Sequence, residues 1–396
     1  MASRNLRKKL TVGFTYNQIP PDCSKKEREH YLRYGEWDSP TTINAVVSAL
    51  EKAGSRVMPI EAYRHNGYDV YRELDRLMPE IDIVFNIAEG FGTRNRESIV
   101  PAMLEWMHIP FTGSDAGALA INLNKADTIE ILRNYGINIA PFYVFKNNDI
   151  NDIERFTSRL KKVFPLIVKP VGEGTSVGMT QNSVVESVDQ LKKAIEQIIV
   201  EYNQPAMAQQ FLDGDEYTVG ILGDLVLPIL KLNLKELPKS PRIRDSDVKE
   251  IDIDYCQPAR FNENYVLLAA QAAIAQAALS CRDYNRMDFK KHNDGKIYFL
   301  ETNPLPGLNP ESSDFPKMCR LAGISHDVMI NAVLFEAVKR YQADKEFLDR
   351  FDGKRVSYIK EFIEPTMKSL GTYHVAVPPE TSDNVYYRLV KPVHQK

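Results

Sequence analysis

Arg286-Met287-Asp288-Phe289-Lys290-Lys291-His292-Asn293-Asp294-Gly295-Lys296-Ile297-Tyr298-Phe299-Leu300-Glu301-Thr302-Asn303 is the stretch whose reading decides the fold. Asp294-Gly295 between two extended runs is a strong hairpin signal. With a two-residue turn there, opposed residues sum to one value. Asp288 then faces Glu301, and Arg286 faces Asn303. Alternate residues of a strand share a face. These four therefore project to one side, and Met287, Phe289, Leu300 and Thr302 to the other. Two carboxylates and an amide oxygen make a hard oxygen site of the kind Mg²⁺ prefers. An arginine beside it suits a phosphorylated or carboxylate substrate. The same residues also suit a solvated outer strand with Arg–Asp and Glu–Asn cross-strand pairs.

The surrounding chain has 396 residues, enough for two or three domains, and a formal net charge of −3. That balance gives no support for a nucleic-acid or membrane surface. Its four cysteines, Cys23, Cys256, Cys281 and Cys319, show no CxxC or zinc spacing. They read as reduced thiols of a cytoplasmic protein. No apolar run approaches the roughly 20 residues that span a bilayer. The basic start with its short apolar stretch lacks a signal-peptide cleavage site and reads as a lead-in to a first strand.

Hydrophobic patterning divides the chain into an N-terminal α/β unit (residues 1–121), a central unit (122–205), a C-terminal unit (206–341) and an extension (342–396). In the first unit, strands are predicted at 10–16, 57–60 and 81–87, with a loop or short lid over 18–34. A helix starts at Ser39-Pro40, carries Ile43, Val46, Val47 and Leu50 on one face, and stops at Gly54. Alternating strands and helices imply a parallel sheet. The central unit reads as a helix over 125–135, strands at 165–171 and 177–180, and a helix over 187–202. The third unit opens with strands at 206–211, 216–223 and 225–232, then a polar, mobile loop over 235–254. An alanine-rich helix follows, with Val266, Ala270, Ala273, Ile274 and Ala277 on one face. After the hairpin, residues 326–341 form a helix on Ile330, Val333, Leu334, Ala337 and Val338.

Gly172-Glu173-Gly174-Thr175-Ser176-Val177-Gly178 offers backbone N–H and hydroxyl donors that can wrap phosphate oxygens. It is neither a P-loop nor a dinucleotide fingerprint. Lys169 lies just ahead on the apolar strand Leu166-Ile167-Val168-Lys169-Pro170. Lysines are rarely buried without a partner, and a phosphate is a fitting one. Without Lys169 the loop reads as an ordinary glycine hairpin.

Taken in order, Lys169-Pro170, Glu173-Gly174-Thr175-Ser176-Val177, Glu216-Tyr217-Thr218-Val219, Arg286-x-Asp288 and Glu301-x-Asn303-x-x-Pro306-Gly307 resemble the ATP-grasp enzymes. They resemble D-alanine–D-alanine ligases in particular, as does Phe111-Thr112-Gly113-Ser114 before Asn124-Lys125. The likeness runs from about residue 10 to residue 340. It implies a three-domain architecture, α/β with an α+β ATP-grasp part, holding ATP between the central and C-terminal units. Lys125 and Lys169 would hold phosphates under the loop of Glu173, Gly174, Thr175, Ser176 and Val177. Gln209 and Phe211 would line the adenine slot and Glu216 bind the ribose. Asp288, Glu301 and Asn303 would hold two Mg²⁺ ions. Arg286, Lys249 and Ser176 would act on the reacting groups. Glu36, Asp38, Glu89, Gly307, Ser312 and Ser313 would face the substrates.

The chemistry agrees with the resemblance. A carboxylate is a poor acyl donor; phosphoryl transfer activates it, and an amine then attacks the acyl phosphate. Arg286 can stabilise the resulting oxyanion. The departures fall on substrate-facing elements: Glu89 stands for the family's histidine, Arg94, Arg96 and Glu97 occupy a lengthened loop, and Arg242, Arg244 and Glu250 flank Lys249. The reading is therefore an ATP-dependent carboxylate–amine ligase for an amino acid or small peptide other than D-alanine alone. A D-alanine–D-alanine ligase, an ATP-grasp enzyme for another acid and a non-catalytic ATP-binding protein are the alternatives. Small molecules are the expected partners, without nucleic acid or membrane, and a homodimer is left open.

Overall fold

In the computed structural model, which describes residues 9–20, 23–34, 36–62, 68–146, 150–159, 164–174, 177–237, 243–245, 248 and 255–343, the strands fall into three sheets. The first contains β1 (Thr11–Tyr16), β2 (Arg56–Glu61) and β3 (Ile83–Asn86). They run parallel in the order β2-β1-β3. Helices α2 (Pro40–Lys52) and α3 (Tyr68–Leu77) make the crossovers that parallel strands require. Ser39 caps α2 by accepting the Thr42 N–H, and Pro40 occupies its first turn. Gly54, at φ 94°, takes the left-handed conformation that ends it.

Ahead of α2 the chain departs from the sequence reading. Residues 18–34, predicted as a loop or lid, include helix α1 (Lys25–Tyr34). Ser24 and Glu27 form its capping box: the Ser24 N–H donates to Glu27 Oε2 at 2.8 Å, and the Glu27 N–H donates to Ser24 Oγ at 3.3 Å. The helix is almost wholly polar; among its described side chains, Tyr31 is buried and His30 lies 5.6 Å from the Phe91 ring. The Tyr31 ring lies 5.3 Å from Trp37 and 5.6 Å from Phe91.

Helices α4 (Ile99–Trp106), α5 (Ala116–Leu123) and α6 (Lys125–Arg133) lead to the middle sheet. It comprises β4 (Phe142–Phe145), β5 (Leu166–Pro170), β6 (Val184–Val185) and β7 (Ala206–Gln210), ordered β4-β7-β5-β6 and antiparallel. Helices α7 (Ile150–Arg159) and α8 (Val188–Tyr202) belong to the same stretch of chain, and α8 buries Leu191, Ile195 and Ile198. Two strand expectations change here. The sequence places β7 at the opening of the third unit, yet it pairs with β4 and β5 in the middle sheet. Residues 177–180 are not a strand. Gly178 turns the backbone at φ 74°, Thr180 caps a single 3₁₀ turn, and the strand comes at β6.

The third sheet joins β8 (Glu216–Leu222), β9 (Leu225–Val226), β10 (Leu230–Leu232), β11 (Cys256–Pro258), β12 (Tyr284–Lys291) and β13 (Ile297–Asn303). Its order is β11-β10-β8-β12-β13, with β9 paired to β8. Helix α9 (Glu263–Ala278) covers one face, but not with the residues the periodicity suggested. It buries Leu268, Gln271, Ala272 and Ala275. Val266, Ala270, Ile274 and Ala277 face outward. Helices α10 (Asp314–Leu321) and α11 (His326–Ala343) close the described chain. α11 packs on α2, where the Asn331 amide donates to the Ala49 carbonyl at 3.1 Å. The first and third units therefore share one core, from Val12 and Phe14 through to Met318 and Val333. Among the described residues no single helix is long and apolar enough to cross a membrane.

Candidate active site

The hairpin brings the predicted residues together by a route the sequence did not suggest. Arg286 pairs with Asn303 and Asp288 with Glu301, but Phe289 pairs with Phe299. The turn holds three residues, 293–295, closed by the His292 N–H on the Lys296 carbonyl at 2.9 Å. Gly295 accepts the left-handed conformation there, at φ 84°. Leu300 is the extra residue of a bulge, which restores the pairing nearer the site. One predicted direction is thereby reversed. Phe299 joins Met287 and Phe289 in the core, while Leu300 lines the same slot as Asp288 and Glu301.

Burial raises the Asp288 pKa, and the negative charge of Glu301 raises it further, against the opposing effect of Arg286. The Arg286 guanidinium lies 3.2 Å from Asp288 and 3.8 Å from Asp314. A hard divalent cation fits this donor set. Asp288 and Glu301 supply crowded carboxylates in a part-buried place, and Asn303 adds an amide oxygen.

Across a narrow slot of about 90 Å³ lie Lys169 on β5 and Gln209 and Phe211 around β7. Burial lowers the Lys169 pKa to about 8, although Glu301 opposes the shift. Lys125 opens α6 and reaches Glu301 at 3.4 Å; its ammonium also donates to the Glu173 carbonyl. Glu216 lines the slot too, paired at 3.1 Å with Lys290, whose ammonium sits 5.2 Å from the Phe211 ring centroid. Lys290 was not singled out in the sequence. The alternation that selected Arg286 and Asp288 would have reached it one step further along β12.

On the other side of Arg286 opens a cavity of about 1190 Å³. Glu36, Asp38, Glu89, Gly307, Ser312 and Ser313, all predicted substrate residues, line it. A Cβ at Gly307 would come within 2.8 Å of Ser313 Oγ, so the glycine lets this backbone lie close against the serine hydroxyl, which would have to turn away from a larger residue. Asp38 accepts the Asn17 N–H at 3.2 Å, and burial pushes its carboxyl up to about 7. Asp314 escaped the sequence reading. Although burial opposes it, Arg244 and Arg286 hold its carboxyl below the usual range. Arg244 forks onto both Asp314 oxygens and donates to the Tyr255 hydroxyl at 2.8 Å.

Arg96 is the largest surprise. It is not a surface arginine: its side chain is 2% exposed, among Glu36, Glu89, Glu97 and Glu173. Burial pushes Glu97 up to about 7 and raises Glu89 as well, with neighbouring carboxylates adding to both shifts and Arg96 opposing them. Arg94 is exposed. Lys249, Thr175, Ser176, Arg242 and Glu250 lie outside the described residues.

Comparison with known proteins supplies a context for this geometry. A family model described as D-ala D-ala ligase C-terminus matches residues 131–335. A D-alanine–D-alanine ligase of Thermotoga sp. (strain RQ2) is 30% identical over 322 residues, or 79% of this chain and 94% of that protein. One from Actinobacillus succinogenes is 28% identical over 285 residues, or 69% of this chain and 89% of that protein. Among solved structures, the D-alanine–D-alanine ligase of Bacillus anthracis complexed with ATP matches at a TM-score of 0.64 and 21% identity. That match covers 85% of this chain and 99% of the other.

Proposed function

The chain belongs to the D-alanine–D-alanine ligase family and has its ATP-grasp fold; from that premise we propose that it joins the carboxylate of one amino acid or small peptide to the amine of another, using ATP, with substrates other than D-alanine alone. The family is one of ATP-dependent ligases that form a carbon–nitrogen bond. One observation carries the reading. Arg286, Asp288, Glu301 and Asn303 lie between a slot walled by Lys169 and a large cavity rimmed by carboxylates.

In this reading the nucleotide lies between the central and C-terminal units, with Gln209, Phe211 and Glu216 around its base and ribose. Lys125 and Lys169 offset phosphate charge in a place where little water screens it. Asp288, Glu301 and Asn303 hold the Mg²⁺ ions, which supply charge neutralisation at the transferring phosphoryl group when bound. Arg286 orients the donor carboxylate and stabilises the oxyanion formed when the amine attacks. Gly307 and Ser313 bring backbone and hydroxyl donors to a substrate carboxylate. Glu36, Asp38 and Glu89 receive an ammonium group, since their carboxylates outnumber the nearby cations.

The substrate departs from D-alanine because the cavity wall is charged. A methyl group gains nothing from Glu89, and each carboxylate costs desolvation if an apolar group is pressed against it. Arg244 does not add a free positive charge, because Asp314 neutralises it. The deciding experiment is a panel of amino acids and dipeptides with ATP and Mg²⁺, followed by phosphate release and mass spectrometry of the product. An amide product containing an amino acid other than D-alanine supports the proposal. Efficient D-alanyl-D-alanine formation, faster than with any other amine, replaces it with the D-alanine reading. Phosphate release without any amide overturns the ligase assignment.

A further inference from the structure

Arg96 stands where three segments far apart in sequence meet. Its guanidinium lies 2.8 Å from Glu36, which precedes α2. It lies 3.3 Å from Glu97 and 3.6 Å from Glu89, both in the loop after β3, and donates to the Glu89 carbonyl at 3.2 Å. It lies 3.7 Å from Glu173, in the glycine loop after β5. A planar fork with several donors can serve carboxylates in several directions; a lysine ammonium is a single point.

The glycine loop is held at the same place by other contacts. A Cβ on Gly174 would collide with the Glu36 carboxylate, so the loop backbone lies directly on that side chain. Glu173 also accepts from the Gln204 amide at 2.8 Å, and its carbonyl accepts from Lys125. The pair Glu173–Gly174 therefore touches the carboxylates of the cavity on one side and the phosphate-side lysine on the other. A loop that moved away would strip Arg96 of one partner and free Glu36 from the backbone laid upon it.

We propose that Arg96 is a positioning residue that couples seating of the glycine loop to the arrangement of Glu36 and Glu89, so that the phosphate site is covered only while the amine-binding carboxylates are in place. This rests on the ligase reading above. Its value to such an enzyme is protection of the acyl phosphate. An activated acid left uncovered, or covered without an amine held ready, is lost to water. Arg96 touches neither reacting group; it acts through the two segments it joins.

The test uses the full chain, with Arg96→Lys, Glu173→Gln and the double variant. Two readouts are needed: ADP released per amide formed, and hydrogen exchange of peptides covering 89–97 and 172–178. In both single variants the ADP-to-amide ratio should rise severalfold. Exchange should quicken in both segments together, and the double variant should be no worse than the poorer single one. A purely structural role would lower ADP and amide together and leave their ratio unchanged, and that result overturns the proposal. So does faster exchange confined to 89–97 in Arg96→Lys. Should Arg96→Lys fail to fold, Glu173→Gln still decides, because it removes the charge at the loop's end of the contact while leaving Arg96 and an amide oxygen for Gln204 in place. Exchange is measured without substrate. A wild-type protein that forms no amide therefore ends the ligase reading while leaving the coupling itself tested.

Discussion

Asp288 faces Glu301 across the β12–β13 hairpin because Leu300 bulges out of β13 and restores a register that the three-residue turn had shifted. The bulge also turns Leu300 toward the slot beside Glu301, while Phe299 stays in the core. One inserted residue thus sets which side chains of β13 line the slot and which enter the core.

Asp288→Asn and Glu301→Gln should each cut ATP-dependent turnover by on the order of 100-fold or more, as loss of preorganised charge at a phosphoryl centre does. Both side chains line a polar slot, so melting should stay close to wild type. Circular dichroism alongside a phosphate-release assay checks this. Near-normal turnover in either variant would remove the metal assignment.

Lys169→Ala should weaken nucleotide binding in a direct calorimetric titration. The wild-type protein should also lose affinity as pH rises through about 8, because the buried lysine gives up its proton there. The alanine variant should lack that pH dependence. Equal affinity of the two proteins at pH 7 would count against a phosphate contact.

Asp38 offers a pH test of a different sign. Its carboxyl is pushed up to about 7 by burial, from an ordinary value near 3.8. Between those values the unfolded chain releases a proton that the folded one keeps, so this group's contribution to stability falls as pH rises. Asp38→Asn should therefore melt higher than wild type at pH 8, with a smaller gain at pH 5, while losing affinity for the amine. Thermal melts at the two pH values test it, and an equal shift at both would show that burial of the charge is not the cause.

Motion should accompany binding. A slot of about 90 Å³ is smaller than the few hundred Å³ of an ordinary ligand pocket, so the walls must part to admit a nucleotide. Hydrogen exchange over 172–178 and 235–254 should slow when a non-hydrolysable nucleotide and substrate are added together. Unchanged exchange in both segments would deny them a covering role. Part of the second segment is already anchored: Gln181 donates to the Ile243 carbonyl at 3.0 Å and to Asp245 at 2.8 Å.

What the sequence alone determined is everything that rests on spacing within one element. The Ser39-Pro40 start and Gly54 stop of α2, and Lys169 on an apolar strand beside a glycine loop, are legible there; the pairing of Asp288 with Glu301 is reached from the sequence only because the Leu300 bulge offsets a turn one residue longer than the two-residue turn expected. Periodicity and turn chemistry act over a few residues, and those features need no more. The capping box of Ser24 and Glu27 was equally local, but the polarity of the segment hid it. The tertiary structure decided the rest. It placed β7 in the middle sheet, turned the Val266–Ile274 face of α9 outward, and made Asp314 the neutralising partner of Arg244. Above all it buried Arg96 among four carboxylates from three distant segments. A charge's environment is set by whatever the fold brings near it, and Coulomb energy depends on distance and screening rather than on separation along the chain. An arginine that the sequence places only in a lengthened loop is therefore found buried between segments that the chain order keeps far apart.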